Sequence, residues 1–257
     1  MTRPGTPRGT VAGAGHVALA GVTAVVLDIE GTVSPTEAVV GTLYPYAQAR
    51  LAGWLAQHGD DPETVRAIAQ VRELIGEPDA DVTRVVAALD DWRARDVKAA
   101  PLKTLQGRIW AAGFAAGELT GVFFDDVVPA LRRWHAAGIT LAVYSSGSVA
   151  AQRAWFGHAA GGAGDRRDDL RPLLAGYFDL DSAGPKTDPG SYARIAAALG
   201  AAAPRPPLFL TDRPTELDAA NAAGWTTVGV ARPGEPYAGA LAGYRHVASF
   251  ADLDLAG

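Results

Sequence analysis

Cysteine is absent from the 257 residues, which excludes disulfides, thiolate metal sites and cysteine nucleophiles. That lack fits a reducing compartment, so the cytoplasm is the expected location. No run of about eighteen apolar residues occurs, and no segment is expected to span a membrane. The first twenty residues carry two arginines without a sustained apolar stretch, and they read as a flexible tail rather than a secretion signal. Positive charge is in deficit: 23 Lys and Arg stand against 28 Asp and Glu, with no basic patch, which argues against a nucleic-acid partner. The five histidines, at positions 16, 58, 135, 158 and 246, show neither a pair at metal-ligand spacing nor a nucleophile relay. The length is sufficient for one large domain, or a core domain with an insertion, built around a real hydrophobic core.

What is present is a repeated strand-to-polar-loop layout. The run VTAVVL (22–27) is short, apolar and rich in β-branched residues, and it stops at DIEGTVSP. TLAVY (140–144) runs into SSGS, PLFL (207–210) into TDRPTE, and TTVGV (226–230) into ARPGEP. Between them lie DVVPALRRWHAAG, SVAAQRAWFGHAA, GSYARIAAALG and TELDAANAAG, with apolar residues at helical spacing and glycine stops at Gly138, Gly200 and Gly224. Alternating strands and helices predict an α/β fold with a doubly wound parallel sheet. From about Thr36 to Leu119 the pattern changes to long amphipathic stretches, which predicts an inserted helical cap. The expected organisation is a tail over 1–20, an α/β core over 21–35 and 120–257, and a cap over 36–119.

In such sheets ligands sit beyond the carboxyl ends of the strands, where Asp28, Ser145 and Asp212 fall. Phosphoryl transfer to protein needs a carboxylate nucleophile, a cation on the phosphate oxygens and donors for the remaining charge. Asp28 supplies the carboxylate, with Gly31 allowing close backbone approach and Thr32 a hydroxyl. Ser145, Ser146 and Ser148 precede a helix near Val149, where hydroxyls and free N–H groups suit an anion. Lys186 offers a point charge from a Gly-Pro loop. Asp212, followed by Glu216 and Asp218, offers the oxygen ligands that Mg²⁺ prefers. Taken singly each has a plainer reading: a turn acid, a Ser N-cap, a surface lysine, acids favoured at a helix N-terminus. Their shared placement at strand ends favours the chemical reading. Tryptophans such as Trp54, Trp92, Trp134 and Trp155 fall on amphipathic helices as packing residues, with Trp110 a candidate to face substrate.

Taken in order, DIEGTVSP, YSSGS, the lysine of GPKTDPGSY and FLTDRPTELDAANAAG resemble the four motifs of the haloacid dehalogenase superfamily. Most phosphatases of that superfamily carry Asp two residues after the nucleophile, whereas this chain has Glu30. The D-I-E-G-T run with its Ser-Pro, together with LKTLQGRIWAAGFAAGELTGVFFDDVVPALRRW and YSSGSVAAQRAWFGH, is similar to the enolase-phosphatase (acireductone synthase) family of methionine salvage, over about 22–236.

The resemblance implies enolisation and then dephosphorylation of 2,3-diketo-5-methylthiopentyl-1-phosphate, through an aspartyl-phosphate. It implies Asp28 as nucleophile and Mg²⁺ ligand, and Glu30 in the metal site by side chain or carbonyl and as a candidate for proton transfer. Asp212 would complete the ligands of one Mg²⁺ per chain, and Ser145, Ser146 and Lys186 would bind phosphate. It leaves the enolisation base open. The cap stretch 103–119 is expected to cover the site, with Gln106 or Trp110 at the methylthio end. The expected partner is a small phosphorylated molecule, with no nucleic acid or membrane, and the expected state is a monomer. Three rivals share the motifs: a phosphatase for another small ester, a non-catalytic phospho-ligand binder, and a halide-releasing hydrolase. TDRPTELD departs from the family's SDxxxELD form at Thr211, and Arg213 follows the Asp.

Overall fold

The computed structural model describes residues 15–95, 97, 99–161, 167–200, 203 and 205–255; of the expected tail, residues 1–14 lie outside these. The strands in chain order are β1 (Val17–Ala18), β2 (Ala24–Leu27), β3 (Thr140–Tyr144), β4 (Gly176–Phe178), β5 (Leu208–Thr211), β6 (Thr226–Val230), β7 (His246–Val247) and β8 (Leu253–Asp254). The helices are α1 (Thr36–Gln57), α2 (Pro62–Ile75), α3 (Val82–Ala94), α4 (Ala100–Ala116), α5 (Val127–Ala136), α6 (Val149–Gly157), α7 (Pro189–Leu199) and α8 (Pro214–Ala222). They fall into two compact units, one of Met1–Pro35, Phe124–Ser146 and Leu173–Gly257, the other of Thr36–Phe123 and Gly147–Pro172.

In the first unit β2 to β7 form one parallel sheet in the order β4-β3-β2-β5-β6-β7. The chain steps outward from β2 through β3 to β4, then returns to the other side of β2 with β5. With right-handed crossovers this reversal sends the connecting helices of the two halves to opposite faces. The point of reversal, at the end of β2, is where such sheets hold ligands. β2 and β5 are buried along their whole length, as an apolar run in a covered parallel sheet requires. On one face Val26, Ala142, Tyr144 and Phe209 pack with Tyr192, Ile195 and Leu199 of α7, Ala219 and Ala220 of α8, and Trp225. Gly138 and Gly224 take left-handed φ of 79° and 80° just after α5 and α8, as glycine stops should.

Part of the expected tail is structured: Val17 and Ala18 pair in parallel with Leu253 and Asp254 as β1 and β8. A pair this short leaves no readable alternation in sequence, which is why the segment read as unstructured.

In the second unit α4 packs against α1, α2, α3 and α6. α2 begins with Asp61 accepting the N–H groups of Glu63 and Thr64, has Pro62 in its first turn, and ends at Gly76 in the left-handed conformation. α1 runs from Thr36 straight through Pro45. A Cβ on Gly113 of α4 would collide with the ring of Tyr46, so the glycine sets how closely α1 and α4 approach.

Candidate active site

Three strand ends deliver the candidate residues of the first unit. In the register Leu27 pairs with Val143 on one side and Leu210 on the other. One step further along, Asp28 lies between Tyr144 and Thr211, with Ser145 and Asp212 just beyond. The Asp28 N–H donates to the Leu210 carbonyl at 2.9 Å, extending the ladder one residue past β2. Gly31 then turns the loop at φ 71°, and a Cβ there would collide with Asp212 Oδ2, so only glycine lets the loop approach that carboxylate. The Thr32 carbonyl accepts from Arg232 Nε at 3.1 Å.

Asp28 is 2 % exposed and Lys186 is 8 % exposed, and they are ion-paired: Lys186 Nζ stands 2.6 Å from Asp28 Oδ1. The Ile29 N–H donates to the same oxygen at 2.8 Å. Lys186 also reaches Glu216 Oε2 at 2.8 Å. The Thr211 hydroxyl lies 3.0 Å from Asp28 Oδ2 and 2.8 Å from Glu216 Oε2. Burial works against the Lys186 cation, but the charges of Asp28 and Glu216 outweigh it and hold the ammonium well above the ordinary lysine range. Glu216 is pushed up to about 6 by burial, with Lys186 opposing and Asp28 adding to the rise. Asp212 is pushed up to about 7, first by burial and then by the charge of Asp28. Glu30 is raised by the same two causes in the same order. One ammonium thus faces a concentration of carboxylates.

The loop carrying Lys186 is pinned from below. Tyr192 Oη donates to the carbonyls of Lys186 at 2.7 Å and Glu216 at 3.2 Å, and Tyr144 Oη donates to Gly184 at 2.7 Å. Ser145 is buried at the end of β3, and Ser146 is exposed one residue on. Ser148 belongs to the second unit and caps α6, accepting the Ala151 N–H at 3.3 Å. Asp218 takes a hydrogen bond from Tyr244 at 3.0 Å on the exposed side of α8. Trp110 is buried in the second unit, its indole N–H donating to Leu43 at 2.6 Å and its ring 5.6 Å edge-on from Tyr44.

A family model described as haloacid dehalogenase-like hydrolase matches residues 22–224. The chain belongs to the haloacid dehalogenase-like hydrolases. Among its relatives, Enolase-phosphatase E1 of Frankia alni is 64% identical over 88% of this chain and 93% of that protein. The protein of the same name from Streptomyces avermitilis is 62% identical over 84% and 87%. Of solved structures, the UTR4 protein of Saccharomyces cerevisiae shares 34% identity over 84% of this chain and 92% of that one, with a TM-score of 0.72. CbbY of Rhodobacter sphaeroides, solved in complex with phosphate, shares the fold at 19% identity and a TM-score of 0.51, over 90% of this chain and 95% of that one.

Among the described residues no three His, Cys, Asp or Glu side chains stand in a ligating arrangement. Mg²⁺ does not require three: it is held by one or two carboxylates and completes its octahedron with water and phosphate oxygens. Asp212 Oδ1 is buried with no hydrogen-bond partner among the described residues, next to a loop that only Gly31 allows so close. An orphaned buried carboxylate oxygen beside a second acid is costly unless a cation compensates it. The carboxylates of Asp28 and Asp212 are oxygen donors of the kind Mg²⁺ takes.

Glu216 and Thr211 are the residues that reading the sequence left undecided. Both sit in TDRPTELD, but an acid at a helix start is equally at home as a dipole partner, and a Thr ending a strand carries no mark of its neighbour. Only the β2–β5 register and the reach of Lys186 bring them onto Asp28.

Proposed function

We propose that this hydrolase is an enolase-phosphatase that converts 2,3-diketo-5-methylthiopentyl-1-phosphate to 1,2-dihydroxy-3-keto-5-methylthiopentene and phosphate in methionine salvage. The observation that carries the reading is the buried Asp28–Lys186 pair at 2.6 Å, at the reversal point of the sheet, in a chain 64% identical to a relative of that name. Asp28 attacks phosphorus in line; the bond from phosphorus to the ester oxygen breaks, and that oxygen leaves with the enediol and takes up a proton. Water then attacks the aspartyl-phosphate, releasing phosphate and restoring the Asp28 carboxylate. Lys186 and the Ile29 N–H fix the Asp28 carboxylate before attack, and Lys186 offsets the negative charge gathered between carboxylate and phosphate. Ser145 and Ser146, at the end of β3, bind the phosphate together with Lys186. One Mg²⁺ held by Asp28, Glu30 and Asp212 would supply positive charge to the phosphate oxygens and Lewis acidity to the carbonyl beside the proton that enolisation removes. Glu30 is the candidate to carry that proton: its carboxyl is raised by burial and by Asp28, toward the range a general base needs.

In this reading the chain acts as a monomer in the cytoplasm on a small phosphorylated molecule, with neither nucleic acid nor membrane as partner. The absence of cysteine fits a reducing compartment, and the net charge of −5 argues against nucleic acid. The test is phosphate release and enediol absorbance from the diketo phosphate, with and without Mg²⁺, for wild type and Asp28→Asn. Both products are expected only with Mg²⁺ and only from wild type. Release of phosphate from other esters alone would discard the methionine-salvage role and keep the nucleophile.

A further inference from the structure

We propose that Thr211 is a positioning residue for Asp28: its hydroxyl holds Oδ2 and stops the carboxylate from turning as phosphorus is attacked. The inference rests on the reading of Asp28 as nucleophile and adds a residue to it. Strand register creates the contact. Val26 pairs with Phe209 and Leu27 with Leu210, so the next step sets Asp28 beside Thr211. Side chains alternate along a strand, so Asp28 and Thr211 share the face of Val26 and Phe209, although 183 positions separate them in sequence. Thr211 is fully buried, and its β-branched side chain has little rotamer freedom in a strand. The hydroxyl is therefore delivered from a fixed point.

The donor count says where its proton goes. A hydroxyl has one proton and two lone pairs. The Arg213 N–H, at 3.2 Å, occupies a lone pair of Thr211 Oγ1. Two carboxylate oxygens lie within reach of the single proton, Asp28 Oδ2 at 3.0 Å and Glu216 Oε2 at 2.8 Å. Glu216 Oε2 already receives Lys186, and Asp28 Oδ1 already receives Lys186 and the Ile29 N–H. Asp28 Oδ2 has no donor among the described residues except Thr211, so the proton serves Oδ2. The carboxylate is then gripped from both ends, Oδ1 by the Ile29 N–H and the lysine, Oδ2 by a rigid strand residue. Without the second grip it can rotate about Cβ–Cγ, and the fraction of time spent in line with phosphorus falls.

The experiment compares Thr211→Val, which keeps the shape and removes the donor, with Thr211→Ser, which keeps the donor. Asp28→Asn serves as a control, and Mg²⁺ is present throughout. Phosphate release is followed from the diketo phosphate and from para-nitrophenyl phosphate, and melting temperature is measured on every variant. For Thr211→Val, kcat is expected to fall about 10- to 100-fold, the scale of one hydrogen bond to a charged group, with KM within about twofold. Thr211→Ser is expected to stay within about threefold of wild type, and melting temperatures to agree within about 3 °C. Wild-type kcat in Thr211→Val, a loss confined to KM, or equal losses in Val and Ser variants would overturn the proposal. Should the valine variant fail to fold, Thr211→Ala against Thr211→Ser carries the same comparison. Turnover persisting in Asp28→Asn would remove the nucleophile reading itself. An inert Asp28→Asn beside a fully active Thr211→Val would remove the role of Thr211 alone.

Discussion

A single phenol joins the two halves of the Lys186–Glu216 ion pair. Tyr192 Oη donates to the carbonyls of both residues, and its ring packs edge-on against Tyr144, Phe209 and Trp225 at 5.3–5.8 Å. Burial and the nearby Glu216 charge hold the phenol far above its ordinary pKa, so it remains a donor at every working pH. Lys186 lies over the rings of Tyr144 and Phe209 at 5.6 and 5.9 Å, so the same aromatic cluster supports its side chain as well as its backbone. Tyr192→Phe keeps the packing and removes the one phenolic proton that the Lys186 and Glu216 carbonyls share. Such a loss costs about 1–3 kcal/mol. Urea unfolding should show that decrease, and phosphate-ester kinetics should show a raised KM as the Lys186 loop loosens. A variant as stable as wild type, with unchanged KM, would mean that the loop holds its shape without the phenol.

At the scale of elements, the loop after β2 is tied to distant segments by one buried arginine. Arg232, just past β6, donates to Thr32 and pairs with both oxygens of Asp126 at 2.8 and 2.7 Å, between the rings of Phe124 and Phe250 at 4.5 and 4.8 Å. Asp126 also accepts from Ser249 and the Phe250 N–H. Burial works to raise the Asp126 pKa, but the bonds from Arg232, Ser249 and Phe250 prevail and hold it below the ordinary 3.8. A carboxyl with a depressed folded pKa stabilises the protein above its unfolded pKa, and that contribution is lost as pH falls through the folded value. Asp126→Asn should cost about 3 kcal/mol at neutral pH, because it strands a buried guanidinium. The gap from wild type should narrow as pH falls below 3.8 and through the lowered folded pKa of Asp126. A gap independent of pH would assign the loss to packing.

Elements also explain what was legible in sequence. The four central strands were visible because each is an apolar run of four or five residues ending at a polar loop. β4, β7, β1 and β8 hold two or three residues each, too few for a period to register. α1 carries Pro45 inside it, a residue that taken alone suggests a helix boundary. That α6 packs on α4 was not legible, since a nine-residue helix with a Ser cap does not reveal its partner. Asp28, Lys186 and Asp212 stood out through their loops. Thr211 and Glu216 needed the register.

For the whole molecule, folding the first unit from three chain segments carries an electrostatic cost. Asp28, Glu30, Asp212 and Glu216 come from two ends of the chain and converge where Lys186 is the one buried ammonium ion-paired with them among the described residues. Three of those acids are raised by burial and by Asp28, and one Asp212 oxygen has no partner. In the proposed reading, a site so arranged trades stability for the capacity to bind a cation. Two consequences are opposite in sign and measurable on one sample series. Without metal, Asp212→Asn should melt higher than wild type, because a neutral amide is cheaper to bury than an uncompensated carboxylate. With Mg²⁺ at about a hundredfold excess over its Kd, wild type should gain about 2.7 kcal/mol, or roughly 5–10 °C in melting temperature. Asp212→Asn should gain almost nothing, so that the order of the two proteins reverses or closes as Mg²⁺ is added. Equal shifts in both would place the cation elsewhere. A metal-free wild type more stable than Asp212→Asn would mean that the orphaned oxygen is satisfied by solvent, and that the acids impose no cost on the fold.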